Sequence, residues 1–206
     1  MDKNTLLLEK TAENLIKNGF KNTLICNNIE ETKKLVKSII KPKTKLGIGG
    51  SMTVKELDLV NELKENEILQ HQQGMSLEER KQLWRKIFYA DYYLASPQAI
   101  TQDGKMFFLD MYGNRVSAII FGPEHVILLA GYNKIVNDEQ TALWRIRNIS
   151  AVKNVNRLKK NTPCYKTGKC ENCNSNDRIC RVLSVIYKKP PATEYTVILI
   201  NHELGF

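Results

Sequence analysis

The sequence predicts an α/β fold built on a mostly parallel sheet, with helices on both faces and a cysteine-rich loop before the last strand. Three observations carry this expectation. Short apolar runs alternate with segments of helical periodicity through the first half of the chain. One of those runs opens directly into a glycine-rich turn, GIGGS at residues 47–51. Four of the five cysteines crowd into one short stretch near the C-terminus.

The length of 206 residues suits one domain over residues 1–206, with residues 161–190 as the cysteine-rich loop. A hydrophobic fraction of 42% is enough to bury a core. No apolar run approaches the roughly 18 residues of a membrane span. The N-terminal leucine run, Leu6 to Leu8, turns charged at once, unlike a signal peptide. These features predict a cytoplasmic location with no membrane partner.

Taken in order, Leu8, Ala12, Leu15 and Ile16 recur at helical spacing, and Gly19 stands where a C-cap belongs. Residues 23–27 read as a strand. Residues 30–40 read as a helix with Leu35, Val36, Ile39 and Ile40 on one side, stopped by Pro42. Residues 45–48 form the strand before the glycine turn, followed by a helix containing Glu56 and Leu57 and a strand at residues 68–70. Ser76 and Glu79 make a capping box for a helix running through Trp84 and Ile87. Residues 91–96 read as another strand, stopped by Pro97. Beyond Lys105, KMFFLD and NRVSAIIFG look like two strands joined by a tight turn at residues 111–113. Residues 126–130 are the most apolar run and predict a central strand. Residues 138–160 predict a long helix burying Ala142, Ile146 and Ile149, and residues 195–200 a final strand. No internal repeat or low-complexity segment interrupts this order.

The positive charge is localised. Residues 134–189 hold 13 lysines and arginines against 4 acidic residues, an excess that equals the net charge of +9 for the whole chain. A local basic field favours an anionic partner, although a solvated basic face gives the same count.

The glycine turn is the first candidate site. A strand, a glycine-rich turn and a helix start present backbone N–H groups to an anion, and here Gly49, Gly50, Ser51 and Thr53 are the candidates. The turn lacks the Lys-Ser/Thr of a P-loop, and Met52 stands where the dinucleotide fingerprint has its third glycine, so no nucleotide cofactor is indicated. A plain tight turn capped by Ser51 is the competing reading.

Further polar residues stand at the ends of strong strands: Thr101, Asp110, Asn114, Arg115, Asn133 and Lys134. Ligands of open α/β sheets sit beyond the carboxyl ends of strands. Lys134 suits a carboxylate or phosphate, Arg115, Arg145 or Arg147 a bidentate grip, and Asp110, with Lys134, a proton transfer. The plainer alternative makes Asp110 and Asn114 turn residues and the arginines a wet helix face. His125 reads as a surface residue, and His71 and His202 have no evident partners.

Cys164, Cys170, Cys173 and Cys180 number what structural zinc and iron–sulfur clusters each require. In a cytoplasmic chain such a cluster points to metal or redox chemistry before disulfides. The spacing names neither metal, and free or regulatory thiols remain alternatives. Cys26 stands apart on the first strand, as a core residue.

Together these motifs resemble the lactate-utilisation family, the LUD-domain proteins. The resemblance rests on GIGGSMT, AIT with the following DGK, GNRV with FGPEHVILLAGYNKIV, RIRN, PCYKTGKCENC with the later RIC, and VILINHELG. It implies a Rossmann-like fold similar to ribose-5-phosphate isomerase, glucosamine-phosphate deaminase and the CoA transferases, in which the matching glycine turn binds phosphate or a related group. It also implies participation in oxidising lactate to pyruvate, alongside iron–sulfur oxidoreductase subunits. The acidic motif of the isomerases is absent after Leu94, where the chain reads Ala95-Ser96-Pro97, and no CoA-transferase glutamate is recognisable. Neither chemistry carries over.

The leading expectation is therefore a component of lactate (2-hydroxy acid) oxidation that binds a small carboxylate or phosphate. A non-catalytic metal-binding module that docks an electron-transfer partner is the second reading. A nucleic-acid binder is the third, weakened by the lack of aromatic interleaving and of zinc-finger spacing. Homo-oligomerisation is left open.

Overall fold

The computed structural model describes residues 2–206. Its larger sheet has six parallel strands: β1 (Asn22–Cys26), β2 (Lys45–Ile48), β3 (Glu67–Leu69), β4 (Tyr92–Ala95), β7 (His125–Gly131) and β10 (Glu194–Ile200), in the order β1-β10-β7-β4-β2-β3. Parallel strands need crossovers, and helices supply them on both faces. Alternate side chains divide the core accordingly. Val126, Leu128 and Ala130 of β7 and Tyr195, Val197 and Leu199 of β10 pack against α1 (Lys3–Lys17) through Leu8, Ala12 and Leu15. Ile127, Leu129, Ile198 and Ile200 face the other way, toward Val36 of α2 (Ile29–Ile39) and Val54 of α3 (Met52–Glu56). A strand apolar on both faces reads as an unbroken run, which is why residues 126–130 stood out in the sequence.

After α3 a single left-handed residue, Asp58 (φ 51°), starts a further short turn, α4 (Leu59–Glu62). The capping box is present: Ser76 accepts from the Glu79 amide and Glu79 from the Ser76 amide, opening α5 (Leu77–Ile87).

The second sheet departs from the sequence expectation. β5 (Ala99–Thr101), β6 (Met106–Asp110), β8 (Ile135–Val136) and β9 (Val182–Ile186) form it, in the order β8-β5-β6-β9. The run NRVSAIIFG is not a strand paired with β6; it is α6 (Asn114–Phe121). Its β-branched residues favour a strand locally, but Asp110 accepts the Val116 amide at 2.9 Å and caps the helix from outside it. Val116, Ala118 and Ile119 then bury themselves in the core. Tertiary capping overrides propensity here. The partner of β6 is β9, antiparallel, so the region expected as a cysteine-rich loop contains a strand and also the short helix α9 (Pro163–Thr167).

The long helix runs as α7 (Glu139–Arg145), one π turn (Ile146–Ser150) and α8 (Ala151–Leu158). A π turn inside a helix rotates the following face and often accompanies a functional site. The carboxyl ends of β2, β4 and β7 all open toward the same side of the large sheet, where the candidate site lies. No helix is long and apolar enough to cross a membrane among the described residues.

Candidate functional site

Beyond those strand ends lies a cleft of about 260 Å³. Gly50 and Ser51 enter it after β2, Ser96 to Gln98 after β4, and Lys134 from the single 3-10 turn after β7. Asp110, Asn114 and Arg115 line it from β6 and α6, and Arg80 and Trp84 from α5. Gly49, Thr53, Thr101 and Asn133 do not line it, and each has a different task. Gly49 makes room: a Cβ there would stand 2.8 Å from the Tyr93 hydroxyl and 3.3 Å from Cδ of Arg115. Thr53 is fully buried behind the cleft as a partner of Lys134. The hydroxyl of Thr101 bonds Asp103 and accepts from the Lys105 amide, closing the β5–β6 turn. Asn133 accepts the Leu204 amide at 3.2 Å and so fastens the C-terminal segment, whose Phe206 does reach the cleft.

The inner wall is saturated. Nε and one terminal nitrogen of Arg115 donate to Oδ1 of Asp110 at 2.9 and 2.7 Å, while Oδ2 caps α6. Arg115 also donates to the Ser96 carbonyl at 2.8 Å and to Gln98 at 2.9 Å. Asp110, expected as a proton-transfer group, therefore has both oxygens engaged in positioning Arg115 and α6. Arg145 is buried too, donating to the Asn133 and Gln98 carbonyls and to Ser150. Burial draws its guanidinium down to about 10.

Lys134 is the unusual cation. It is 2% exposed and donates to the Thr53 and Ser96 hydroxyls, each at 2.7 Å. Among the described residues no carboxylate stands within ion-pair distance of it. Burial, then Arg145 and Arg115, push its pKa down to about 7. An amine in that state can hold or release a proton near neutrality.

The rim differs. Arg80 and Trp84 sit one turn apart on α5, and the Trp84 ring lies 5.2 Å from that of Tyr112 and 6.2 Å from that of His71. Nε of Arg80 and Nε1 of Trp84 are buried with no hydrogen-bond partner among the described residues. Burial first, then Arg80 and Arg157, lower the pKa of His71. Arg157 donates to Asn154 at 2.8 Å and faces the cleft. None of Arg80, Trp84, Tyr112, Ser96 or Arg157 was singled out from sequence. Ser96 had a signal, since it ends a strand as Gly49 does; the rim residues carried none that is local.

The four cysteines come together around a second, smaller cavity of about 30 Å³, beside Arg147 and Arg178. None is in a disulfide, and Cys26 is buried separately in the core. Arg178 donates to the carbonyls of Cys173 and Cys180 at 2.7 and 2.8 Å, and the Cys170 amide donates to Asn148 of the π turn. Burial and then the neighbouring thiols push the Cys180 thiol up to about 11. Among the described residues no three acidic, histidine or cysteine side chains are close enough to share one metal ion. Of the basic segment's cations, Lys134 is buried at the cleft, which exposed Arg157 also lines, and Arg178 lines the thiol cavity together with exposed Arg147. His125, expected at the surface, is half-buried, its Nε2 2.9 Å from the Thr196 hydroxyl.

No protein of curated function matches the chain significantly. The structure is similar to the crystal structure of a DUF162 family protein from Deinococcus radiodurans, with a TM-score of 0.55 and 11% identity over 97% of this chain and 99% of that one. At that identity the likeness shows the fold: α/β, with a mostly parallel central sheet flanked by helices. The model of the LUD domain matches residues 8–200; the chain therefore belongs to the LUD-domain family, and membership implies a role in lactate utilisation in general.

Proposed function

We propose that the cleft binds the carboxylate of a 2-hydroxy or 2-oxo acid of lactate size, and that the chain works as a component of lactate oxidation. The observation that supports this best is the pair of buried, unpartnered donors on the rim, Nε of Arg80 and Nε1 of Trp84. A desolvated donor without an acceptor costs about 1–3 kcal/mol, so buried donors are nearly always paired. An anionic ligand in the cleft would supply both acceptors once the Arg80 and Trp84 side chains turn toward it. The charge of the cleft agrees: Arg80, Lys134 and Arg157 line it, with Lys160 paired to Asp177 at 3.8 Å, while Asp110 is already neutralised by Arg115.

In this reading Gly50 and Ser51 close one side of the ligand, with the Trp84 and Tyr112 rings on another. Lys134 is the group that exchanges a proton with the bound acid, since its amine sits near neutrality and its two hydroxyl partners hold it at the inner end. Asp110 orients Arg115.

Calorimetric titration with L-lactate, pyruvate and inorganic phosphate tests the assignment. Saturable binding of a carboxylate, weakened at least tenfold in Arg80→Ala, is the expected result. Binding of phosphate alone would move the ligand class to phosphate esters, and no binding of any of the three would sink the proposal. A second reading, a non-catalytic electron-transfer module, draws on the thiol cavity, which shares Ala151 with the cleft. Turnover of lactate with an artificial acceptor by the isolated chain would count against it.

A further inference from the structure

Lys134 is placed for more than proton exchange. We propose that its amine condenses with the ketone of a 2-oxo acid held in the cleft, forming an imine at Nζ. The proposal rests on the cleft accepting such an acid.

The hydrogen bonds around the amine define its state. Nζ donates to the Thr53 and Ser96 hydroxyls, each at 2.7 Å. Each hydroxyl has an acceptor for its own proton elsewhere. Thr53 has the Leu204 carbonyl at 3.4 Å and the Ser96 oxygen at 3.3 Å, and Ser96 has the Pro97 carbonyl at 3.2 Å. Both hydroxyls therefore accept from the amine and neither donates to it. Two such bonds use both hydrogens of a neutral amine and leave its lone pair free to attack.

The surroundings agree. A lysine desolvated beside other cations is a common form of nucleophilic amine. Burial, then Arg145 and Arg115, hold Lys134 at a pKa of about 7, so much of it is unprotonated at neutrality. Lys134 and Ser96 both line the cleft. Gly205 (φ 60°) passes beside them, and a Cβ there would stand 3.1 Å from Nζ and 2.6 Å from Oγ1 of Thr53. The chain thus runs without a side chain where the amine needs room. For packing alone, an apolar side chain would fill this space with no amine to desolvate.

The step balances without an oxidant. The Nζ lone pair forms the C–N bond while the carbonyl π electrons move to oxygen. The nitrogen then gives up both hydrogens, the oxygen leaves with them as water, and C=N replaces C=O. Thr53 and Ser96, already hydrogen-bonded to the nitrogen and to each other, relay these protons. The imine draws electrons from the adjacent carbons, so the site suits proton exchange or C–C bond chemistry beside the ketone.

The test incubates the full chain with pyruvate, reduces it with borohydride and maps adducts by peptide mass spectrometry. A pyruvate-derived secondary amine on Lys134 alone is expected, and none when L-lactate, which has no ketone, replaces pyruvate. Lys134→Met should give no adduct while staying folded by circular dichroism; mapping in the native chain does not depend on that variant. Calorimetry on the same protein separates this proposal from the one it rests on. Pyruvate that binds without an adduct at Lys134 would overturn the imine and leave the carboxylate site standing. Adducts scattered over exposed lysines would overturn it equally, and the absence of both binding and adduct would end both proposals.

Discussion

The inner wall and the rim of the cleft are both rich in cations, yet they are built in opposite ways. On the inner wall each charge is answered within the protein, Arg115 by Asp110 and Lys134 by two hydroxyls, and Arg145, which does not line the cleft, is answered by carbonyls. On the rim, donors of Arg80 and Trp84 are buried and unanswered. A saturated network holds positions, whereas an unsatisfied one waits for a ligand. The contrast separates what the fold needs from what the function needs, and mutations should divide along the same line.

The largest effect on stability belongs to the inner wall. Asp110→Ala strands the buried guanidinium of Arg115 and removes the cap from α6. It should destabilise the chain by about 3–5 kcal/mol in urea denaturation. A loss under 1 kcal/mol would mean the pair is not structural, and would return Asp110 to candidacy as an acid–base group.

The rim should behave in the reverse sense. Arg80→Ala and Trp84→Phe each remove a donor that has no partner in the free protein, so the melting temperature should hold or rise slightly. Ligand affinity should fall by about 1–3 kcal/mol for each. Equal losses in stability would show that the rim is scaffold after all.

Lys134 lies between the two classes. Its folded pKa of about 7 is below the value of about 10.4 for an unfolded lysine. Between those values the unfolded chain binds a proton that the folded chain does not, so the lysine makes stability rise with pH from 7 toward 10. Lys134→Met should remove that slope and stabilise the protein by about 1–3 kcal/mol at neutral pH. Carboxylate affinity of the native chain should weaken as pH rises through 7, because the attracting charge is lost, and the variant should bind weakly at every pH.

The smallest effect concerns the glycine turn. Gly49→Ala places a methyl group 2.8 Å from the Tyr93 hydroxyl and should cost about 1–2 kcal/mol of stability. Affinity should change less than twofold, since Gly49 packs the wall rather than the ligand.

Much of the scaffold was legible because it is encoded locally. The unbroken apolar run at residues 126–130, the capping box at Ser76 and Glu79, and the turn after Ile48 are each set by neighbouring residues. What escaped depends on distant ones. Residues 114–121 look like a strand because of Val116, Ile119 and Ile120, and become helical through the external cap from Asp110. β9 was hidden inside a basic cysteine-rich segment and is a strand because β6 needs a partner there. The site was half legible for the same reason. Gly50, Ser51, Arg115 and Lys134 follow strand or turn signals, whereas His71, Arg80, Trp84 and Tyr112 meet only after folding. Thr53 and Asn133 were found as polar residues in the right neighbourhood, but they support Lys134 and the C-terminal segment instead of facing the ligand.

Tryptophan fluorescence offers the most direct test of the claim that the rim awaits a carboxylate. The chain has two tryptophans, and Trp144 is exposed and absent from the cleft lining. In a Trp144→Phe background Trp84 becomes the only reporter, and it can be titrated with pyruvate and L-lactate with and without Arg80→Ala. A saturable change in Trp84 emission that weakens at least tenfold without Arg80 is the predicted result. No change with either acid, or an identical curve in both proteins, would contradict it.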